Sequence, residues 1–106
     1  MRNRRLAAID IGTNSIRCIV VEADLQGKFR VLDDEKATVR LGEGLARDNT
    51  IAEAAWQRAM EALVRIKKIV DGFGVIGVET VATSAVRRAV NGDAFIRAVA
   101  DTVGPG

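Results

Sequence analysis

The 106-residue chain has no histidine and no tyrosine, one cysteine, one proline, one tryptophan and three phenylalanines. Without histidine it holds no imidazole metal site and no Ser-His-Asp triad of its own. Cys18 stands alone inside an apolar run, which excludes an internal disulfide and a thiolate metal cluster and fits a reducing, cytoplasmic setting. The formal net charge of +2 is too small to single out nucleic acid. Arg2, Arg4 and Arg5 form a basic cluster, but no aromatic residue interleaves with them for base stacking, and a solvated terminus accounts for them. Arginines ahead of an apolar stretch also imitate a signal peptide. Asp10 and Arg17 break that stretch too early, and no run is long enough to cross a bilayer. Neither nucleic acid nor a membrane is an expected partner.

What is present is an aliphatic α/β composition, 48% hydrophobic and rich in Ala, Val and Ile. A chain of this size forms one small domain at most, burying somewhat under ~70% of the surface its unfolded form exposes. Leu6 to Ile11 reads as a buried strand that delivers one carboxylate, Asp10, and then breaks into Gly12-Thr13-Asn14-Ser15. Asp10 at such a place needs a metal, a hydrogen-bonding partner or water. Gly12 lets the backbone come close to a ligand, and Thr13, Asn14 and Ser15 add hydroxyl, amide and main-chain N–H donors suited to phosphate oxygens. Taken alone, Gly-Thr-Asn-Ser is also ordinary turn chemistry, with Asp10 capping the turn. Ile16 to Glu22 is a second β-rich run that folds straight back, so the turn sits in a hairpin. The Walker arrangement and the Gly-x-Gly-x-x-Gly fingerprint are both absent.

Asp24-Leu25-Gln26-Gly27 is a turn signal. Lys28 to Leu41 then supplies a third extended stretch, with Phe29, Val31, Ala37, Val39 and Leu41 alternating against polar neighbours. The acidic Asp33-Asp34-Glu35 is expected to interrupt it as a bend or bulge, and three successive antiparallel strands make a meander. Arg40 to Leu45 reads as a glycine-flexible loop. Thr50-Ile51-Ala52-Glu53 has the spacing of a capping box, which opens a long helix. Ala52, Ala55, Trp56, Ala59, Leu63, Ile66 and Val70 form its apolar stripe, Trp56 and Met60 belong to the core, and Gly72 ends the helix. Val75 to Ala82 is a fourth strand, reached through a helix and so parallel to the first.

That strand ends in Ala82-Thr83-Ser84-Ala85-Val86-Arg87-Arg88-Ala89. Small hydroxyl residues again follow a strand, now at a helix start, where free N–H groups and the dipole favour an anion. Arg87, one turn in, is placed to reach back with a forked guanidinium. The plain alternative is Ser84 as an N-cap with exposed arginines. Asp93 is expected to cap a final helix, Ala94 to Val103, with Phe95, Ile96 and Val99 inward.

Both loops thus follow the carboxyl ends of neighbouring strands in a β-β-β-α-β-α order. This order is similar to the first lobe of the ribonuclease H-like fold of sugar kinases, actin and the heat-shock 70 ATPases. Four stretches narrow the likeness: Ala8-Ile9-Asp10-Ile11-Gly12-Thr13-Asn14-Ser15-Ile16-Arg17, Val39-Arg40-Leu41-Gly42-Glu43-Gly44-Leu45, Ala82-Thr83-Ser84-Ala85-Val86-Arg87-Arg88-Ala89 and Asn91-Gly92-Asp93-Ala94-Phe95. In this order and spacing, across essentially the whole chain, they resemble the N-terminus of the exopolyphosphatase and guanosine pentaphosphate phosphatase (Ppx/GppA) family.

The resemblance implies an α/β, actin-like half-lobe with a mixed sheet that lacks its last strand or strands. Residues 1–106 would be the N-terminal part of the first lobe, with the second lobe absent. The implied activity is removal of the terminal phosphate from inorganic polyphosphate or guanosine pentaphosphate with Mg²⁺, and K⁺ in the full-length enzyme. By the same resemblance Asp10 holds the metal directly or through water, and Gly12, Thr13, Asn14 and Ser15 grip the terminal phosphoryl group. Thr83, Ser84 and Arg87 bind it from the next loop, while Arg40, Gly42 and Glu43 line the cleft. The family's general-base glutamate and its second, Asp-Gly-Gly-Gly-Ser-like loop are expected beyond residue 106. No motif places Asp24, Glu43 or Glu79 as a substitute, so the chain alone is expected to be inactive. An open edge on the fourth strand, or an unburied face on the last helix, implies a homodimer. Two rival readings are an ATP-dependent kinase or ATPase lobe of the same superfamily and a non-catalytic phosphate-binding module. These residues do not separate polyphosphate from guanosine pentaphosphate.

Overall fold

The computed structural model describes residues 3–104, so Arg2, Pro105 and Gly106 lie outside it. In β1 (Arg4–Ile11), Ala7, Ile9 and Ile11 are buried while Ala8 and Asp10 are exposed, the period of a strand covered on one face. β2 (Ser15–Ala23) returns antiparallel with Ile16, Cys18 and Val20 on the covered face, and β3 (Phe29–Thr38) pairs antiparallel with β2. After α1 (Gly42–Asp48) and α2 (Glu53–Phe73), β4 (Gly77–Ala82) lies parallel to β1. The chain then runs through α3 (Ser84–Arg87) and α4 (Gly92–Val103). The sheet order is β3-β2-β1-β4, which is the expected meander with a parallel fourth strand.

The core lies between this sheet and the α2–α4 pair. Ala55, Ala59, Ala62, Leu63, Ile66 and Val70 are the buried stripe of α2, and Phe95, Val99 and Val103 that of α4. Trp56 and Phe95 meet edge to face, with centroids 5.1 Å apart and planes at 83°. The other sheet face is uncovered. Leu6, Ala8, Ile19 and Val21 line an open depression there of about 640 Å³. Among the described residues β4 is hydrogen-bonded to a strand only on its β1 side. Among the described residues no helix is long and apolar enough to cross a membrane.

Several local expectations need correction. Asp33-Asp34-Glu35 does not interrupt β3; all three stay paired with β2, and the irregularity falls where Val20 pairs with Asp33 but Val21 with Val31. Leu32 is the extra residue, and a one-residue bulge exchanges faces. Phe29 and Val31 therefore emerge on the uncovered side, 68% and 60% exposed, instead of inward. The stretch Gly42 to Leu45 is helical, not a flexible loop: Gly44 is buried against the Thr50 carbonyl and the Ala52 amide, where a Cβ has no room. The capping box does not form: Ala52, not Thr50, is the N-cap of α2, and the Thr50 hydroxyl donates to the Asp48 carbonyl (3.3 Å). α2 continues through Gly72 and stops at Gly74, which takes the left-handed φ of +64° that such a stop uses. α4 starts at Gly92 after Asn91, so Asp93 lies in its first turn and does not cap it. Arg5 is not simply solvated; its Nε pairs with Glu22 (3.0 Å) and its Nη1 donates to the Phe73 carbonyl (3.2 Å).

Cys18 is buried and unpaired. Burial, reinforced by the charges of Asp33, Glu35 and Asp34, pushes its thiol up to about 11. An unfolded thiol titrates near ~8.5, so between roughly pH 9 and 11 the unfolded state binds fewer protons than the native one. Stability should therefore fall as pH rises through that window. Urea midpoints measured against pH should show this fall in the native chain and lose it in Cys18→Ala.

Candidate phosphate-binding site

Two turns leave the sheet side by side. The β1–β4 register ends at Ile11 opposite Ala82, and the Thr83 N–H donates to the Ile11 carbonyl at 3.0 Å. Gly12 and Thr83 thus start their loops as neighbours. In the first loop the Gly12 N–H donates to the Ser15 carbonyl at 2.9 Å, closing a turn in which a Cβ at position 12 would crowd that same oxygen.

The segment after β3 wraps this turn from outside. The Asn14 carbonyl accepts from the N–H groups of Val39 (2.9 Å) and Arg40 (3.0 Å), and the Thr13 carbonyl accepts from Gly42 (2.8 Å). Arg40 adopts a φ of +55° within this wrap, an uncommon conformation for arginine. The N–H groups of Thr13 and Asn14 donate to no acceptor among the described residues. Ser84 and Ala85, at the start of α3, likewise have free N–H groups. The Thr13, Asn14 and Ser84 side chains are exposed beside them, and Ser15 and Thr83 are half-buried. Asn14 Nδ2 donates to Ser15 Oγ at 3.4 Å.

Asp10 projects from the uncovered face near the end of β1. It has no hydrogen bond or ion pair among the described residues, so water meets its charge. Its register partner on β2 is Arg17, which the motif reading did not single out as a site residue. The signal was available: with Ile16, Cys18 and Val20 inward, alternation puts Arg17 on the Asp10 face. Arg17 is held by Asp34 through Nε (3.0 Å) and Nη2 (2.6 Å), and this hydrogen bonding holds the Asp34 carboxyl below the usual carboxylate range.

The second loop differs from expectation in its details. Thr83, not Ser84, occupies the N-cap position, with no side-chain cap bond, and α3 lasts a single turn. A helix this short has little dipole to offer, so its contribution reduces to free N–H groups and Arg87. Arg87 Nε donates to the Ala82 carbonyl (3.0 Å), folding the guanidinium back over the end of β4. Arg40, Gly42 and Glu43 flank the first loop, Arg40 Nη1 and Glu43 Oε1 being 4.0 Å apart and both side chains exposed. A small apolar cavity of about 170 Å³ behind Arg87, between β4 and α4, is lined by Thr80, Ile96 and Val99. Ala82 and Arg87, which flank the second loop, complete its wall on that side.

Among the described residues no three His, Cys, Asp or Glu side chains gather to cage a metal. One exposed carboxylate beside phosphate donors does suit Mg²⁺, which keeps several waters and takes one or two carboxylates plus phosphate oxygens.

Residues 6–105 match the Ppx/GppA phosphatase family. The chain is 36% identical over 103 residues to Exopolyphosphatase 2 of Mycobacterium tuberculosis, covering 94% of this chain and 32% of that protein. It is 34% identical over 98 residues to a guanosine-5'-triphosphate,3'-diphosphate pyrophosphatase of Photobacterium profundum, covering 92% of this chain and 20% of that one. A crystal structure of the Aquifex aeolicus Ppx/GppA family member superposes with a TM-score of 0.91 at 31% identity, over 98% of this chain and 34% of the other. The chain thus spans about a third or less of the length of these relatives, and its mixed sheet with covering helices has the fold of the corresponding part of that structure.

Proposed function

Because the chain belongs to the Ppx/GppA phosphatase family, we propose that it supplies the first phosphate-binding half of a phosphohydrolase that removes the terminal phosphate from inorganic polyphosphate or guanosine pentaphosphate. The observation that carries this reading is the pairing of two loops with free N–H groups at Thr13, Asn14, Ser84 and Ala85, joined through the Thr83–Ile11 hydrogen bond and bordered by Asp10. Phosphoryl transfer spreads charge over three equatorial oxygens, and catalysis consists largely of positioning and neutralising them. Main-chain donors of the first loop, with the Thr13 and Ser15 hydroxyls, suit one side of that group. Thr83, Ser84 and Arg87 suit the other, and Arg87 still has its Nη groups to offer after bonding Ala82. Mg²⁺, when bound, supplies charge neutralisation and orientation of phosphate oxygens, and Asp10 is the residue to hold it. Arg40, Gly42 and Glu43 stand at the mouth of the first loop.

Nothing in this set activates water. Asp10 is assigned to the metal, and Glu43 lies against Arg40. The chain alone therefore binds and orients a terminal phosphate without hydrolysing it.

Amide NMR during titration of the chain with tripolyphosphate and Mg²⁺ tests the site. Shifts should concentrate at Gly12 to Ser15 and Thr83 to Arg87, with no phosphate released by the same samples. Shifts centred on Arg4 and Arg5 would reduce the effect to nonspecific charge binding. Sustained turnover abolished by Asp10→Asn would place the missing base within these residues.

A further inference from the structure

Resting on that reading of the anion site, we propose that Asn91 is a positioning residue that fixes the two phosphate loops relative to each other. Its carboxamide satisfies both backbone groups of one distant residue. Oδ1 accepts from the Ile51 N–H (2.9 Å) and Nδ2 donates to the Ile51 carbonyl (3.0 Å), across a separation of 40 residues. Beside it the Val90 N–H donates to the Asn49 carbonyl (2.8 Å), and Asn49 Nδ2 donates to the Arg88 carbonyl (3.3 Å). Four hydrogen bonds thus stitch the α1–α2 junction to the α3–α4 junction.

Each junction is the far end of a short helix whose near end rests on a loop. α1 begins at Gly42, whose N–H holds the Thr13 carbonyl, and α3 begins after Thr83, whose N–H holds the Ile11 carbonyl. Both connections are tight. Gly44 packs on the Thr50 carbonyl, Gly92 packs on the Val86 and Arg87 carbonyls, and Val86 is fully buried. A closed circuit results: first loop, α1, the Asn91 clamp, α3, second loop. The strand ends set one side of the anion site, and Asn91 sets the other.

The chemistry requires a carboxamide. Aspartate keeps the shape and the acceptor but loses the donor, leaving a carboxylate facing the Ile51 carbonyl; alanine leaves both Ile51 backbone groups unpartnered. The test uses the whole chain, with tripolyphosphate and Mg²⁺ as the probe, well below the thermal midpoint of every variant. Asn91→Asp should weaken binding about tenfold, the factor of about one net hydrogen bond, and should move the Thr13 and Gly42 amide resonances without ligand present. Val70→Ala, a core truncation in the last turns of α2 at the opposite end of the sheet from the loops, is the comparison: it should lower the thermal midpoint and leave the affinity unchanged. Unchanged affinity in Asn91→Asp, or an affinity loss in Val70→Ala that tracks its lost stability, overturns the positioning role while leaving the anion site standing. A native chain with no response at either loop overturns the anion site and the positioning role with it.

Discussion

Phe95→Ala is expected to lower the thermal midpoint by about 15–30 °C, the consequence of losing about 3–5 kcal/mol in a domain of this size. Phe95 is fully buried and stands edge to face on Trp56, at the joint where α4 meets α2. Alanine there leaves a cavity beside Trp56, between α4 and α2, which collapse can fill only in part. Total stability of a small domain is only about 5–15 kcal/mol, so a large share of it rests on this one ring. Phe29→Ala is the counterpart. The sequence pattern places Phe29 inward, but its side of β3 faces solvent, so its removal should change stability by no more than about 0.5 kcal/mol. Far-UV circular dichroism melts, with Trp56 fluorescence as a second probe, measure both. Comparable losses in the two variants would mean that the outer end of β3 is covered after all. A small loss in Phe95→Ala would detach α4 from the cooperative core.

The contrast between those phenylalanines shows where the sequence stops being legible. β1, β2, β4 and α2 follow from periodicity, because one covered face imposes a two-residue repeat on a strand and a three-to-four-residue repeat on a helix. A bulge breaks that logic. Leu32 carries no mark of being the extra residue, yet it reverses every face assignment beyond it. Glycine is ambiguous in the same way: Gly42 and Gly44 read as flexibility, while Gly44 is actually a close approach to Thr50 and Ala52, visible only once the partner is in place. Thr50 has the spacing of a cap, but its hydroxyl donates back to the Asp48 carbonyl and accepts from no N–H of α2, whose N-cap is Ala52, an outcome that spacing alone cannot decide.

The candidate site is legible in the placement of its loops and less so in their connections. That Gly12 and Thr83 begin as neighbours follows from a parallel β1–β4 pair, which the intervening helix implies. The donors of Thr13 and Asn14 were legible as residue types. The pose of that turn is held from outside by Val39, Arg40 and Gly42 donating to its carbonyls, and no local rule foretells that wrap. Asn91 was visible only as one letter of a motif, because its partner Ile51 has no side-chain chemistry to advertise the contact.

Asp10→Asn should change tripolyphosphate binding in opposite directions with and without Mg²⁺. Asp10 makes no bond to the described protein and is exposed, so the isosteric amide should leave the thermal midpoint nearly unchanged, within about 0.5 kcal/mol of stability. In EDTA the native carboxylate faces a polyanion. At contact distances in water each unit charge pair is worth about 1 kcal/mol, so removing the repulsion should tighten metal-free binding by a fewfold. With Mg²⁺ present the carboxylate becomes the group that anchors the cation beside the phosphates, and its loss forfeits a charge-assisted interaction of about 1.5–3 kcal/mol, or roughly ten- to a hundredfold in affinity. Isothermal titration at constant ionic strength, with EDTA and with Mg²⁺, gives both arms. Complexation of Mg²⁺ by free tripolyphosphate is common to the two proteins and cancels in the comparison. Equal Mg²⁺ dependence in native chain and variant would remove Asp10 from the metal site. Weaker binding in both arms would instead make the Asp10 carboxylate a support of the first loop and not a ligand of the metal.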